Sequence, residues 1–212
     1  MKALQSQVNP HFLYNALNTI SFICRENAER ARELLLTLAS YYRQTLENEQ
    51  YMLNLHTELY HINTYLELEK ARFEEKLQVT MDIEEDLDCM VPSFILQPLV
   101  ENAIRYGLEE NTEGCLISIS AETCPEKDQL IIYVKNDGSA FEDDLLSKLE
   151  NRQIEPHGFG IGLLNIQKRM QITYGEAYGL TLYNEEELAV AKLVYPLKPV
   201  ILSPDAEASL TV

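Results

Sequence analysis

The chain has 212 residues, of which 34 are Asp or Glu and 17 Lys or Arg, for a formal net charge of −17. Nucleic-acid surfaces need clustered cations, so this balance argues against one, and any anionic ligand must be held by local groups or a metal against an unfavourable field. The apolar fraction of 46% supports one or two domains with a real core, and no run approaches the ~18 apolar residues a membrane helix needs, so no membrane contact is expected within the chain.

The first 75 residues hold one proline and no glycine. Three helices are expected there: Lys2 to Arg25, "ERARELLLTLASYYRQTLEN", and "LHTELYHINTYLELEKARFEEK". In the third, Leu55, Leu59, Ile62, Leu66 and Phe73 recur at intervals of three, four and seven residues, one apolar stripe of an amphipathic helix. Such a segment packs as a helical hairpin or bundle and suits pairing with a second copy, a homodimer.

From Leu77 the period changes. "LQVTMDI" alternates as a strand does, and "VPSFILQPLVENAIRYGL" reads as helix after Pro92, with Gly107 placed as a C-terminal cap. "GCLISISAE" and "QLIIYVKND" form a hairpin through "TCPEKD". Residues 138–157 read as a loop with a short helix, "GFGIGLLNIQKRMQITYG" as a glycine loop opening a helix, and "LTLYNEE" and "LAVAKLVYPL" as a closing hairpin. The order β-α-β-β-α-β-β defines an α+β class with helices on one face of a mixed sheet. The expected organisation is a helical region over 1–75, a second domain over 76–198 and a loose tail over 199–212. The cysteines, Cys24, Cys89, Cys115 and Cys124, show no C-x-x-C spacing, so they read as small buried or half-buried side chains in a reducing cytoplasm.

Four stretches carry chemistry. "NPHFLYNALNTI" sets an imidazole, His11, behind Pro10 on an otherwise apolar helix, with Asn15 one turn on. "ENAIRYG" interrupts a core helix with Glu101 and Asn102, and Asn102 shares a face with Arg105. An amide oxygen can ligate Mg²⁺ and a guanidinium can pair with phosphate. "VKNDG" ends a strand with Asn136, Asp137 and Gly138, alone no more than a turn signal, though a side chain there can hydrogen-bond the exocyclic amine of adenine. "GFGIG" supplies Gly158, Gly160 and Gly162 before a helix, which lets backbone N–H groups approach phosphate. It is neither a dinucleotide fingerprint nor a P-loop.

Taken in order, these motifs resemble the Bergerat ATP-binding fold of histidine kinases, gyrase and related ATPases. "QVNPHFLYNALNTI", "LELEKARFEEKLQV", "VPSFILQPLVENAIRYG" and "GFGIGLLNIQKRMQITYG" are similar to the hallmark segments of the LytS-type sensor histidine kinases, over roughly residues 3–197. The resemblance implies a helical dimerisation and phosphoacceptor region followed by a Bergerat-type α/β sandwich. It makes His11 the phosphoacceptor, attacking the γ-phosphate of ATP, with Pro10 as a local kink and Asn15 as the amide beside the phosphohistidine. It makes Asn102 the Mg²⁺ ligand, places Arg105, Tyr106, Asn136, Asp137 and Gly138 against the nucleotide, and assigns Gly158, Gly160 and Gly162 to its phosphates, with residues 140–157 as a lid. Glu101 is a candidate general base by position alone.

The chain departs from the family at four places. Tyr106 stands where many relatives have His, Asn136 where wider histidine kinases have Asp, Ala140 at a usual glycine, and "EEELAV" in place of a closing Gly-Thr. The leading expectation is a two-component sensor kinase. It autophosphorylates His11 with ATP and Mg²⁺, then transfers the group to an aspartate of a response regulator. The chain is read as the cytoplasmic portion of an inner- or plasma-membrane sensor. The departures motivate an alternative, a catalytically weak nucleotide-binding module that signals through its helical dimer. A Bergerat-fold ATPase or serine kinase fits "NPHFLYN" less well.

Overall fold

The structure, a computed structural model, describes residues 9–47, 50–84, 87, 89–109, 113–154 and 159–197. Helix α1 runs Pro10–Ile23, and the part of the expected helix over residues 2–8 lies outside the described residues. Asn9 is extended, and its side chain accepts a hydrogen bond from the Phe12 N–H at 3.3 Å. Pro10 is therefore the first helical residue rather than a kink, a position where its missing N–H costs nothing. Asn27 caps α2 (Ala28–Glu47) by accepting from the Arg30 N–H at 3.0 Å. The turn between them leaves Cys24 exposed, contrary to expectation, because it lies past the last buried residue of α1, Ile20.

A short strand β1 (Met52–Asn54) leads into α3 (Leu55–Phe73), whose N-terminus Asn54 caps through the His56 N–H at 2.9 Å. Helix α3 is not one-striped. Glu58, His61, Thr64, Tyr65, Leu68 and Glu69 are buried along with Leu55, Leu59, Ile62 and Leu66. It lies between α1 and α2 on one side and the sheet on the other, so most of its circumference is covered.

Strand β2 (Leu77–Ile83) pairs in parallel with β4 (Cys115–Cys124), and the other pairings are antiparallel. With β5 (Gln129–Asn136), β6 (Gly179–Glu185) and β7 (Leu188–Pro196), the order is β2-β4-β5-β7-β6. Among the described residues β3 (Met90–Pro92) pairs with β1 alone, with Met52 opposite Pro92. In β4 the inward row is Cys115, Ile117, Ile119 and Ala121; in β5 it is Leu130, Ile132, Val134 and Asn136. Asn136 is thus an amide at the end of an apolar row, on the face that α4 (Gln97–Glu109) and α6 (Phe159–Tyr174) cover. This is the expected α+β sandwich with a mixed sheet. The short helix in the loop is α5 (Leu145–Glu150).

Three boundaries differ from expectation. Helix α4 begins at Gln97, because Ser93 to Leu96 form a turn in which Phe94 has φ 55°. The buried carboxylate of Glu58 holds that turn, accepting from the Phe94 N–H at 2.9 Å and the Leu96 N–H at 3.0 Å. Gly107 lies inside α4 and caps nothing. A Cβ there would meet Cys115 Sγ at 1.9 Å, so the glycine is needed for close approach to β4. The glycine loop is already helical from Phe159, which puts Gly160 and Gly162 in the first turn of α6, while Gly158 and the expected tail lie outside the described residues. One apolar core joins both halves, from Phe12, Ile20 and Leu34 through Leu66 and Val100 to Ile132 and Tyr195.

Candidate functional site

A cleft of about 850 Å³ opens between α1, α3, α4 and the start of α6. His11, Asn15, Glu101, Asn102, Arg105 and Gly162 all line it. His11 is exposed in the first turn of α1, where the Asn9 cap fixes its direction. The Asn15 amide nitrogen lies 3.2 Å from its Nδ1. Phe12, next in chain, is buried in the floor of the cleft, with its ring 5.0 Å from each of Tyr41 and Tyr65. One residue of the pair is thereby anchored and the other presented to the cleft.

Asn102 is buried and borders both this cleft and a very small internal cavity shared with Tyr106, Asn136 and Phe141. Its Oδ1 is buried without a hydrogen-bond partner, as is Asn136 Nδ2. A buried, unsatisfied amide oxygen is costly unless a ligand completes it, and a hard oxygen donor suits Mg²⁺, so the residues present fit that ion. An amide at position 136 can donate to a purine ring nitrogen and accept from the adjacent amine, which a carboxylate cannot do. Arg105 is exposed at the cleft, its guanidinium 5.8 Å from the centre of the Tyr106 ring.

Asp137 and Gly138 also make contacts within the protein. The Asp137 carboxylate accepts from the Leu116 N–H at 2.8 Å and so holds the exit of β5 to β4. A Cβ on Gly138 would lie 2.4 Å from Gly107 Cα and 2.5 Å from the Tyr106 carbonyl oxygen, so the two glycines let β5 and α4 touch backbone to backbone. That contact sets the spacing between Asn136 and Asn102. Beyond it, the Asn184 amide bonds both the N–H and the C=O of Phe141, each at 2.9 Å, fastening the start of the segment between β5 and α6.

Sequence reasoning missed the α3 wall of the cleft: Tyr65, Glu69, Arg72 and Phe73. Glu69 is 4% exposed, with Arg72 Nη1 3.5 Å from its carboxylate. Burial pushes its carboxyl up to about 7, against the pull of Arg72 and with the push of Glu101. Burial also raises Glu101, which accepts from Gln97 Nε2 at 2.8 Å. Two signals were available: the hallmark segment "LELEKARFEEKLQV", to which no site residue was assigned, and within it a Glu and an Arg three apart.

The fold is that of an ATPase domain preceded by a helical histidine-bearing segment, and comparison with known proteins agrees. The histidine kinase family matches residues 1–77, and the family of histidine kinase-, DNA gyrase B- and HSP90-like ATPases matches residues 92–191. Sensor histidine kinase YpdA of Escherichia coli (strain K12) is 38% identical over 177 residues, covering 83% of this chain and 31% of the relative. Sensor protein LytS of Bacillus subtilis (strain 168) is 37% identical over 190 residues, covering 87% of this chain and 31% of the relative. The chain thus spans about a third of the length of these relatives. The catalytic domain of histidine kinase ThkA superposes with a TM-score of 0.54 at 19% identity, over 70% of this chain and 97% of that one. ThkA in complex with response regulator protein TrrA superposes at 0.51 and 17% identity, over 93% of this chain and 62% of that one. The chain belongs to the sensor histidine kinase family, of the LytS type.

Proposed function

We propose that this chain is the catalytic core of a two-component sensor kinase that phosphorylates its own His11 from ATP and passes the group to a response-regulator aspartate. The observation that carries the reading is the shared cleft, in which His11 on α1 faces Asn102, Arg105 and Gly162 of the same chain. Transfer within one chain is therefore favoured over transfer between chains. A neutral imidazole is nucleophilic near pH 7. His11 forms a bond to the γ-phosphorus as the bond to the departing ADP breaks. Asn15 orients the ring, Arg105 pairs with phosphate, and the N-terminal turn of α6, which holds Gly160 and Gly162, meets it from the other side. Asn136 and Tyr106 bind the adenine end, and Gly158 belongs to the same phosphate loop. Asn102 would hold Mg²⁺, which when bound neutralises phosphate charge.

Phosphotransfer to a regulator is supported by the family and by the ThkA–TrrA complex, which is said of ThkA. Tyr14, Phe22, Leu35 and Leu36 are exposed on α1 and α2, which suits a helical homodimer. Among the described residues no helix is long and apolar enough to cross a membrane. Together with the share of the relatives that the chain spans, this supports a cytoplasmic portion of a longer membrane sensor. Incubation with γ-labelled ATP and Mg²⁺ should give acid-labile, alkali-stable label that is lost in His11→Gln and Asn102→Ala. ATP binding without label would favour the non-catalytic signalling module. Label persisting in His11→Gln would refute the assignment of the phosphoacceptor.

A further inference from the structure

We infer that Glu69 of α3 is the proton acceptor for His11, with Arg72 setting its basicity. The inference rests on the reading of His11 as phosphoacceptor. When one ring nitrogen bonds to the γ-phosphorus and the P–O bond to ADP breaks, the imidazole becomes cationic, and its other nitrogen must release a proton. Neither near neighbour of His11 can take it. Phe12 is buried between Tyr41 and Tyr65, and Asn15 presents an amide nitrogen to the ring, a donor.

Among the described residues, the carboxylates lining the cleft are Glu69 and Glu101. Glu101 is engaged by Gln97, which also bonds the Tyr41 hydroxyl at 2.6 Å, and it adjoins Asn102. Glu69 has a looser contact, the 3.5 Å approach of Arg72. Its position is set through α1 itself: the Phe12 ring rests on Tyr65, and Tyr65 lies one turn before Glu69 on α3. The titratable and charged groups that act on it are Tyr65 and Arg72 of α3, Tyr41 of α2 and Glu101 of α4, while Arg105 of α4 and His11 of α1 line the same cleft. A carboxyl poised at about 7 is matched to accepting a proton near neutral pH. The balance is complete: His11 loses one proton and gains the phosphoryl group, ADP leaves, and Glu69 ends protonated. A neutral Glu69 also releases Arg72 from its ion pair, leaving a free cation at the cleft as phosphate charge moves onto His11.

The test follows the rate of His11 labelling against pH in the whole chain with Mg-ATP, alongside nucleotide binding and thermal unfolding. Wild type should show a limb rising through a midpoint near 7. Glu69→Gln should slow both labelling and the return of phosphate to ADP by ~100-fold or more, the usual worth of a general base, and lose the part of that limb that the carboxyl sets, leaving the part set by the neutral imidazole nucleophile. ATP affinity should stay within about twofold, since the uncharged isostere keeps its place in the wall. Glu69→Asp should recover part of the rate. Arg72→Gln should move the midpoint to higher pH, because the cation that holds the carboxyl down is gone, a shift that a merely structural role would not give. Unchanged rate and limb in Glu69→Gln, or an unmoved midpoint in Arg72→Gln, overturns the inference and leaves His11 as phosphoacceptor. Wild-type protein that binds ATP yet never labels overturns both. If Glu69→Gln unfolds, the midpoint in Arg72→Gln decides.

Discussion

The carboxylate of Glu58 is fully buried and serves as the anchor for the turn that starts α4. Replacing it with Gln keeps the shape but leaves one accepting oxygen where there were two, and turns an N–H donor toward a backbone N–H. One buried donor, of Phe94 or Leu96, is then orphaned, at a cost of about 1–3 kcal/mol. Relief of a buried charge offsets part of this, for burial pushes the Glu58 carboxyl up against its backbone hydrogen bonds and nearby Arg169. A net loss of about 2 kcal/mol is expected, or about 4–8 °C in Tm for a chain of this size. Glu58→Ala orphans both donors and should lose more, about 2–6 kcal/mol. Urea unfolding would measure it, with the midpoint shifting at unchanged slope. Because the turn sets where Asn102 sits, Mg-ATP affinity should fall with stability. A Glu58→Gln protein within 0.5 kcal/mol of wild type would show that the carboxylate does not hold the turn.

Other perturbations test other contacts. Gly138→Ala forces backbone apart at Gly107 and should cost about 1–3 kcal/mol; it should also weaken Mg-ATP binding in calorimetry more than a surface Ala substitution does. Asn136→Ala removes a buried donor with no partner, so it should raise the Kd for ATP at least about tenfold while leaving Tm unchanged or higher. Glu69 is raised from 4.5 to about 7 on folding, so the folded state binds the extra proton, and stability falls as pH rises between those values. At about 1.4 kcal/mol per pH unit, wild type should lose about 3 kcal/mol relative to Glu69→Gln across that window. Parallel unfolding curves at pH 4.5 and 7.5 would check this, and a constant difference would refute it.

Much of the sheet was legible because period-two alternation is local: "CLISIS" and "LIIYVKN" display their inward rows directly, and that alternation places Asn136 at the end of one. The pairing of β1 with β3 was not, since three-residue strands thirty-eight positions apart carry no periodic signal. Gly107 reads as a cap until Cys115 and Gly138 are seen against it. Glu58 and Glu69 were hidden because a carboxylate on a helix ordinarily marks the solvent side. What buries them is a turn thirty-six residues away in one case and a cleft wall in the other. His11, Asn102 and the glycines stood out because each breaks the pattern of its own segment.

The core that runs unbroken from Phe12 to Tyr195 bears on how such kinases can be recombined. A chimera spliced at the sequence boundary near residue 76 would pair a foreign α3 with this sheet and strip Glu58 from the turn it holds. Exchange is better made in the connection ahead of β1, so that α3 travels with the nucleotide-binding half. The surface then to be matched is the seam of Phe12, Leu34, Leu38 and Tyr41 against Tyr65 and its neighbours. Grafted inputs that respect this seam should preserve function; those that cut through α3 should yield insoluble protein.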